Sequence, residues 1–483
     1  MAWIWAVLSV FIFVYVLLSP KDKKRRPPGP RGLPIIGHFH LMGKNPHQDL
    51  CHLARKHGPI MGLRFGFVPV LVVSSPAAAE LVLKTHDHVF AGRPRYSAAK
   101  YLAYDQRNLG SAPYGPYWRD MRKLCTLELL TARRISQSRA TREAELGLLV
   151  SSLKQTVGEV DVSAKVSALI GDMTCLMVFG RKYSSSGFKD VMMETMELAG
   201  GFNLGDYFPY IGVLDLQGLN RRLKRLSKIF DGFFENIIND HVEKINQKQS
   251  EDFVDTLMAI MESGEAGFEF DRRHVKAVLL DLFVGGTDTS ATTIEWVLSE
   301  LIRHPEAMKK LQKELEEEVG MEESLSHDLE KLEYLDFVVK ETMRLHPTVP
   351  FLVPHESMED CVLDGFFVPK GSRLLVNLWA MGRDPNVWPD PESFKPERFI
   401  GSNIDLRGRS FQLIPFGSGR RGCPGLQLGL TVVKMVVAQL VHCFDWELPN
   451  DMLPSELDMS DHFGLTTSRA QHLVAIPNYR LHK

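Results

Sequence analysis

The stretch that decides the fold is Pro415-Phe416-Gly417-Ser418-Gly419-Arg420-Arg421-Gly422-Cys423-Pro424-Gly425, near the end of a 483-residue chain. Its glycines lack Cβ atoms, so the backbone can turn sharply and lie close to a flat group. Pro424 suits a first helical position, and the apolar residues beyond it predict a buried helix from about Leu426 to Cys443. Free amides at a helix start stabilise a thiolate, the form of cysteine that binds metals. The stretch therefore predicts a metal-binding cysteine at Cys423; the alternative is a buried structural cysteine beside a surface turn.

The stretch resembles the haem-binding loop of the cytochrome P-450 family, Phe-x-x-Gly-x-Arg-x-Cys-x-Gly. The matching positions are Phe416, Gly419, Arg421, Cys423 and Gly425. The resemblance implies that Cys423 is the axial thiolate ligand of a b-type haem iron and that Arg421 pairs with a haem propionate. Phe416 and Gly417 would belong to the same cofactor loop. The implied fold is mainly α with a small antiparallel β-sheet (α+β), preceded by one transmembrane helix.

Composition limits the other classes of protein. Hydrophobic residues make up 44% of the chain and charged residues 24%, which is typical of a large globular protein. A formal net charge of −2 argues against a nucleic-acid-binding protein. The six cysteines lie far apart with no C-x-x-C pair, so the pattern favours neither a disulfide framework nor a zinc ribbon.

The amino-terminal segment 1–19 carries no charge, and as a helix it would span roughly 28 Å, close to the hydrocarbon thickness of a bilayer. A lysine- and arginine-rich cluster follows it, which predicts a single-pass anchor with the rest of the chain cytoplasmic. A cleavable signal peptide or a nuclear signal are the alternatives. The prolines of 27–30 predict a stiff spacer. The predicted organisation is a transmembrane anchor over 1–19, a basic and proline-rich hinge over 20–30, and one haem-binding domain over 31–483, on the endoplasmic reticulum membrane.

Helical spacing of apolar residues predicts helices over Val275–Leu301 and Glu295–Val319. Alternating β-branched and aromatic residues predict a hairpin of Ile60–Phe65 with Pro69–Ser74 around Gly66-Phe67. A second group of strands is predicted from three short runs separated by turn residues. These runs are Cys361–Leu363, Phe366–Val368 and Arg373–Asn377.

The run Gly285-Gly286-Thr287-Asp288-Thr289-Ser290 lies inside the longest predicted helix. Paired glycines in a helix interior cost about 1 kcal/mol each relative to alanine, so we expect a close-lying flat group and a local break in the helix. Thr289 can bond back to the carbonyl of Gly285. The run resembles a family motif in which Thr289 would hold dioxygen and its waters and Asp288 would relay protons from solvent. A helix kink with a solvated aspartate is the alternative.

Further motifs carry the resemblance along the chain. Glu341 and Arg344 match the family's Glu-x-x-Arg motif, which implies a buried structural network with Arg398. Trp118 and Arg122 lie four residues apart, on one helix face, and match a motif that contacts a haem propionate. His355 occupies a position at which many members contact the other propionate.

Family topology implies which segments face the substrate. They are Ala98–Ser111, Phe202–Phe208, Asp281–Gly285, Thr348–Leu352 and Phe463–Leu465. The apolar side chains expected to line the pocket are Phe283, Val349, Phe351, Phe463 and Leu465. Because these lining side chains are apolar, and Lys100 and Arg107 are the cations of the five segments, a small hydrophobic substrate is expected.

The expected activity is a haem-thiolate monooxygenation, RH + O2 + NADPH + H⁺ → ROH + H2O + NADP⁺. No convincing dinucleotide motif occurs, so electrons are expected from a separate NADPH–cytochrome P-450 reductase, with cytochrome b5 as a further partner. The reductase is predicted to dock on a basic patch of this chain. Turnover is therefore expected to fall as the salt concentration rises. The patch residues are Arg119, Arg122, Lys123, Arg420 and Arg421.

The amino-acid sequences of the motifs resemble those of the plant A-type branch of the family, which serves specialised metabolism. Hydroxylation of a small phenolic is the leading expectation, and terpenoid oxidation or aldoxime metabolism are alternatives. A haem-thiolate isomerase or dehydratase that works without a reductase is a third possibility, against which the intact Asp288-Thr289 pair argues. A non-enzymatic haem sensor is the fourth.

Overall fold

The computed structural model describes residues 25–183, 186–244, 252–323 and 329–481. The predicted transmembrane segment 1–19 lies outside these residues. The α-helices of the described chain are α1 Pro46–His57, α2 Pro76–Glu80, α3 Ser97–Leu102, α4 Pro116–Leu124, α5 Ala132–Gln137, α6 Arg139–Lys154, α7 Val162–Phe179, α8 Ser186–Gly200, α9 Leu219–Lys244, α10 Phe253–Ser263, α11 Arg272–Arg303, α12 Pro305–Val319, α13 Glu333–Leu345, α14 Leu378–Gly382 and α15 Leu426–Cys443.

The strands are short and fall into several sheets. They are β1 Ile60–Phe65, β2 Val68–Val73, β3 Val160–Asp161, β4 His355–Glu356, β5 Cys361–Leu363, β6 Phe366–Val368, β7 Arg373–Val376, β8 Phe444–Glu447, β9 Asp461–Phe463, β10 Thr467–Arg469 and β11 Val474–Tyr479. The largest sheet has the order β1-β2-β7-β4. The strands β3-β11-β8 form another, and β5-β6 and β9-β10 are separate pairs.

The prediction of one small antiparallel sheet is wrong in two respects: the described strands form several sheets, and β2 and β7 pair in parallel, with Val70 opposite Arg373. Parallel neighbours need a crossover, and here the whole segment 74–372 provides it. The predicted second group of strands is also divided, since β5 and β6 pair with each other and β7 joins the first hairpin. Strand β7 ends before Asn377 because that side chain accepts a hydrogen bond from the Ala380 amide and caps α14.

Helix α11 lies in the centre of the fold and packs against α7, α13 and α15. Trp296 is fully buried on it. Helices α7 and α15 have the length and hydropathy to cross a membrane, but both contribute their apolar faces to the same buried cluster as α11. The predicted helix from Leu426 to Cys443 has the bounds that the sequence indicated.

Two predicted features of the long helices differ from the structure. The helix predicted over Glu295–Val319 is two helices, because Pro305 disfavours the helical conformation at His304, which has φ −121° and ψ 78°. The break expected at Gly285-Gly286 does not occur, and α11 is continuous from Arg272 to Arg303. The expected side-chain bond is present, since the Thr289 hydroxyl donates to the Gly285 carbonyl at 2.7 Å.

A buried carboxylate joins α13 to the segment after α14. Both Glu341 and Arg344 are fully buried, and two parallel N–H···O bonds of 2.8 Å connect them. The same carboxylate accepts bonds of 2.8 Å from Arg398 Nε and from the Lys395 amide. One anion thus neutralises two cations in a water-poor environment, where charge-assisted bonds are strong and each partner depends on the other.

A second carboxylate holds the loop between α3 and α4 against α11. Asp281 accepts hydrogen bonds from the Asn108 side chain at 2.5 Å and from the Gly110 amide at 3.1 Å. The Leu109 carbonyl, in the same peptide unit as that amide, accepts from the Trp118 indole at 3.1 Å. Burial raises the pKa of the Asp281 carboxyl to about 6, although these hydrogen bonds lower it in part.

We predict that Glu341→Gln lowers the free energy of unfolding by about 3–5 kcal/mol, because it leaves two buried guanidinium groups without an anion. Glu397→Gln is the matched control: Glu397 pairs with Lys310 on a side chain that is 39% exposed. Urea unfolding should show a large loss for the first variant and at most about 1 kcal/mol for the second. Equal losses would contradict the account.

The raised pKa of Asp281 predicts a pH dependence. The folded chain keeps this proton up to about pH 6, whereas the unfolded chain releases it near the ordinary value of 3.8. The stabilising effect of the proton is therefore fully present below about pH 4 and is lost as pH rises to about 6. In urea unfolding, the wild type should lose stability relative to Asp281→Asn across that window. Curves that stay parallel from pH 4 to pH 7 would refute the assignment.

Candidate active site

The loop before α15 owes its shape to glycines in the left-handed region. Gly417 has φ +71° and Gly419 has φ +67°. A Cβ on Gly419 would lie 2.3 Å from the Leu83 carbonyl oxygen, so no other residue fits there. The Cys423 amide donates to the Phe416 carbonyl at 2.9 Å and closes the loop. The backbone of the loop thus fixes the place from which the Cys423 thiol projects.

Cys423 is exposed to solvent, yet protein atoms surround it on most sides. Both observations hold together if the thiol lies at the bottom of a deep cleft. Burial raises the pKa of the Cys423 thiol, while the Gly425 amide and the charge of Arg122 lower it. The protein alone therefore favours the neutral thiol, and a bound metal cation is what would favour the thiolate.

Helix α11 packs on α15, but the residues near its middle are less buried than those in the turns that follow. Residues 290–302 are buried along this helix, whereas Gly285 is exposed. A Cβ placed on Gly285 would meet nothing within 4 Å, so this glycine borders open space. A Cβ placed on Gly286 would instead lie 3.6 Å from the Thr174 side chain. The two glycines therefore have different surroundings: one borders open space, and the other lies against α7, where a Cβ would make an ordinary van der Waals contact.

A group of buried basic side chains lies beside the loop. Arg93 donates to the carbonyls of Val353 at 2.6 Å and Pro354 at 3.0 Å. Burial, and next the charge of Arg421, lowers the pKa of Arg93 to about 9. Burial, and next the charge of Arg122, lowers the pKa of Arg421 to about 10.

His355 belongs to the same group. Its Nδ1–H donates a hydrogen bond of 2.8 Å to the Phe90 carbonyl, and burial followed by the charge of Arg93 places the pKa of His355 well below the ordinary value. No carboxylate pairs with Arg93 or Arg421 among the described residues, and the buried Nη1 atom of Arg421 has no hydrogen-bond partner there. The group is therefore a site of unbalanced positive charge.

Trp118 and Arg122 lie on α4, as expected, and both contact this region. The Arg421 guanidinium stacks over the Trp118 ring, with 4.2 Å between Cζ and the ring centroid. The indole N–H of Trp118 donates to the Leu109 carbonyl, and Arg122 donates to the Gly422 carbonyl at 2.7 Å. The polar groups that the resemblance assigned to a propionate thus bond to backbone carbonyls around the loop.

These features fit a haem. A solvent-exposed thiol that protein atoms surround on most sides, an unpaired buried Arg421 donor and the open space at Gly285 are what a flat, dianionic group with a metal ion at its centre would require. Cys423 would bind the iron, and Arg93, Arg421 and His355 would face the two carboxylates.

The predicted oxygen-side residues have defined partners. Asp288 accepts a hydrogen bond from the Thr466 hydroxyl, in the turn between β9 and β10. Burial raises the pKa of Asp288, and the Thr466 bond lowers it in part. Thr293, one turn beyond Thr289, shares a hydrogen bond of 2.9 Å with the Thr348 hydroxyl. The segments 348–352 and 463–466 are thereby tied to α11, the first at the buried Thr293 and the second at Asp288.

The predicted pocket side chains fall into two groups. Phe351 and Phe463 lie in contact, with ring centroids 5.8 Å apart, and half-buried Val349 and Leu465 adjoin the residues tied to α11. Phe283 differs: it stacks on Phe179 at 5.8 Å in a separate buried cluster. Phe283 and Phe351 thus lie in two different buried clusters, and Phe463 packs against the cluster of Phe351.

The predicted basic docking patch is smaller than expected. Arg421 is buried, and Arg122 is turned towards the loop. Arg420 forms an ion pair of 2.7 Å with Asp87. Arg119 and Lys123 remain as exposed cations of this patch.

Sequence reasoning missed Arg93 and Thr466. Arg93 meets carbonyls about 260 residues away, and Thr466 meets Asp288 from a distant turn. Neither lies in a motif, and contacts at such separation leave no local pattern in a single sequence. The isolated basic residue in Gly92-Arg93-Pro94 offered no periodic or spacing signal.

Comparison with known proteins identifies the family. The cytochrome P450 family model matches residues 27–474. Cytochrome P450 CYP736A12 from Panax ginseng is 50% identical, over 97% of this chain and 96% of that protein. Cytochrome P450 84A1 from Arabidopsis thaliana is 41% identical, over 98% and 95% of the two chains. A 3-beta-hydroxylase from Tanacetum parthenium is 41% identical, over 95% and 94%.

The family uses a haem-thiolate centre and draws NADPH electrons through a reductase, which agrees with the fit of the cleft to a haem. A family model that spans nearly the whole chain and plant relatives of 40–50% identity leave one assignment. The chain belongs to the cytochrome P450 family and is a monooxygenase of its plant A-type branch.

Proposed function

We propose that this monooxygenase hydroxylates a small, hydrophobic, aromatic metabolite. The observation that carries the proposal is the aromatic wall formed by Phe351 and Phe463, which also meets the ring of His47. His47 Nε2 bonds to Asp461 at 2.9 Å, whereas the buried Nδ1 of the same ring has no hydrogen-bond partner among the described residues. Flat aromatic faces suit an aromatic ligand, since offset and edge-to-face ring contacts are favourable.

In this proposal the protein side chains do three things. Arg93, Arg421 and His355 hold the haem carboxylates, and Cys423 holds the iron, which supplies dioxygen activation when the haem is bound. Asp288, with a pKa raised by burial, carries protons to the open part of α11. The apolar wall excludes water and limits entry to hydrophobic molecules.

The position of the Thr289 hydroxyl supports a role for this residue in the same proton relay. In this structure it donates to the Gly285 carbonyl, at the point where α11 borders open space. A hydroxyl that rotates away from this carbonyl could donate to a bound water or oxygen atom instead. We therefore assign Thr289 to the end of the relay that meets the reacting atoms and Asp288 to the end that receives protons from solvent.

A substrate panel tests this proposal. Purified full-length protein with a plant reductase should consume NADPH in the presence of small phenolics and release hydroxylated products. Terpenoids and aliphatic aldoximes of similar size are the matched comparison, because they lack the aromatic ring. Faster product formation from terpenoids or aldoximes than from phenolics would overturn the aromatic preference, and turnover without reductase would indicate isomerase-type chemistry.

The protein is also proposed to lie on the endoplasmic reticulum membrane, anchored by residues 1–19. Exposed apolar side chains in two stretches of the described chain, 33–67 and 202–216, support this. They are Leu33, Ile35, Ile36, Phe67, Phe202, Tyr210, Val213, Leu214 and Leu216. Contacts bring them together: the rings of Phe67 and Tyr210 are 6.0 Å apart, and Arg64 bonds to the carbonyls of Leu33 and Ile35. Single exposed apolar residues are normal on a protein surface, whereas a group of them is typical of a surface that contacts a membrane or another protein.

The anchor predicts the behaviour of microsomes. After alkaline carbonate washing, the full-length chain should remain in the membrane pellet, because a bilayer-length apolar helix is not released by charge or pH. A chain that lacks residues 1–19 is the matched variant and should be extracted in large part. Release of the full-length chain would contradict the anchor.

A further inference from the structure

Thr466 has an unusual place relative to the predicted proton carrier. Its hydroxyl donates to Asp288 Oδ2, and among the described residues no cation pairs with this carboxyl group. Thr466 is therefore the side chain that satisfies a partly buried carboxyl in the wall of the site. A hydroxyl in this position fixes one carboxyl oxygen and leaves the other available.

The turn that carries Thr466 is held by its backbone. The Thr467 amide donates to the Thr348 carbonyl at 2.8 Å, and the Thr467 carbonyl accepts from the buried Trp296 indole at 3.0 Å. On its other side, a Cβ on Gly200 would lie 2.2 Å from the Leu465 nitrogen, so α8 ends directly against the turn. The turn therefore cannot move far without changing its contacts with α8 or α11.

The same turn carries side chains of the aromatic wall. Phe463 contacts Phe351, and Leu465 is half-buried beside Thr466. A ligand that presses on Phe463 or Leu465 is thus only one to three residues from the hydroxyl that holds Asp288. This is a short covalent connection between the proposed substrate surface and the proposed proton carrier.

We propose that Thr466 is a positioning residue that holds Asp288 and links substrate contact on the turn to proton delivery at α11. The inference rests on the proposed function, in which Asp288 carries protons and the turn meets the substrate. If Thr466 has this role, loss of its hydroxyl changes where protons and electrons go, while the haem site itself is unchanged. A hydroxyl that merely satisfied a buried carboxyl would affect stability alone.

The experiment uses full-length, haem-loaded protein with reductase. Thr466→Val removes the donor at nearly constant shape, and Thr466→Ser keeps it. Ser468→Ala is the matched control, because it removes a hydroxyl two residues further along that does not contact Asp288. With the best substrate of the panel, Thr466→Val should lower the fraction of NADPH recovered as product about tenfold, with more hydrogen peroxide and a larger solvent deuterium isotope effect. Thr466→Ser and Ser468→Ala should resemble the wild type.

A second measurement does not depend on turnover. Hydrogen–deuterium exchange of the segment 461–469, without substrate, should be faster in Thr466→Val than in Thr466→Ser or Ser468→Ala, because the side-chain tie to α11 is lost. Unchanged product yield and isotope effect in Thr466→Val would overturn the inference. If the wild type turns over no panel compound, the proposed function fails separately, and equal exchange in all variants then overturns the Thr466 tie as well.

Discussion

The hydrogen bond from the Cys423 amide to the Phe416 carbonyl closes the loop on which the whole site depends. It requires the left-handed backbone of Gly417 and Gly419, and Gly419 is pressed so closely against the Leu83 carbonyl that a side chain would not fit. The Glu341 network supports this arrangement from the core, since one buried carboxylate unites α13 with the Arg398 segment. The rigid backbone of the loop and the charge-neutral core beneath it together hold the Cys423 sulfur atom in one position.

Electrostatics then explain why the cleft suits its cofactor. Burying Arg93, Arg421 and His355 near one another is unfavourable, which is why the pKa of each lies below its ordinary value. A dianionic group in the cleft would reverse that cost, because it offers an acceptor to the unpaired Arg421 donor. The thiol follows the same logic, since its raised pKa is an effect of burial that an iron cation would offset. Cofactor binding and site stability are therefore coupled through charge.

Local sequence patterns predicted those parts of the structure that local forces decide. The helix Leu426–Cys443 followed from an apolar run behind Pro424, and the return bond of Thr289 followed from a spacing of four residues. The division at His304 was also present in the sequence, in Pro305, but helical periodicity on both sides concealed it. By contrast, the parallel pairing of β2 with β7, the core position of Phe283, and the contacts of Arg93 and Thr466 depend on residues that are roughly 100 to 300 positions apart in the chain. Tertiary packing decides such pairs, and one sequence does not display them.

The most direct test of the central claim concerns the sulfur–iron bond. The full-length protein, purified with its haem, should give a strongly red-shifted Soret band when it is reduced and exposed to carbon monoxide, because a thiolate donates electron density through the iron. Cys423→His should retain haem but lose that shift, and Cys443→Ala, which removes a buried cysteine far from the loop, should keep it. A folded, haem-loaded wild type without the shifted band, or a Cys423→His variant that keeps it, would contradict the account.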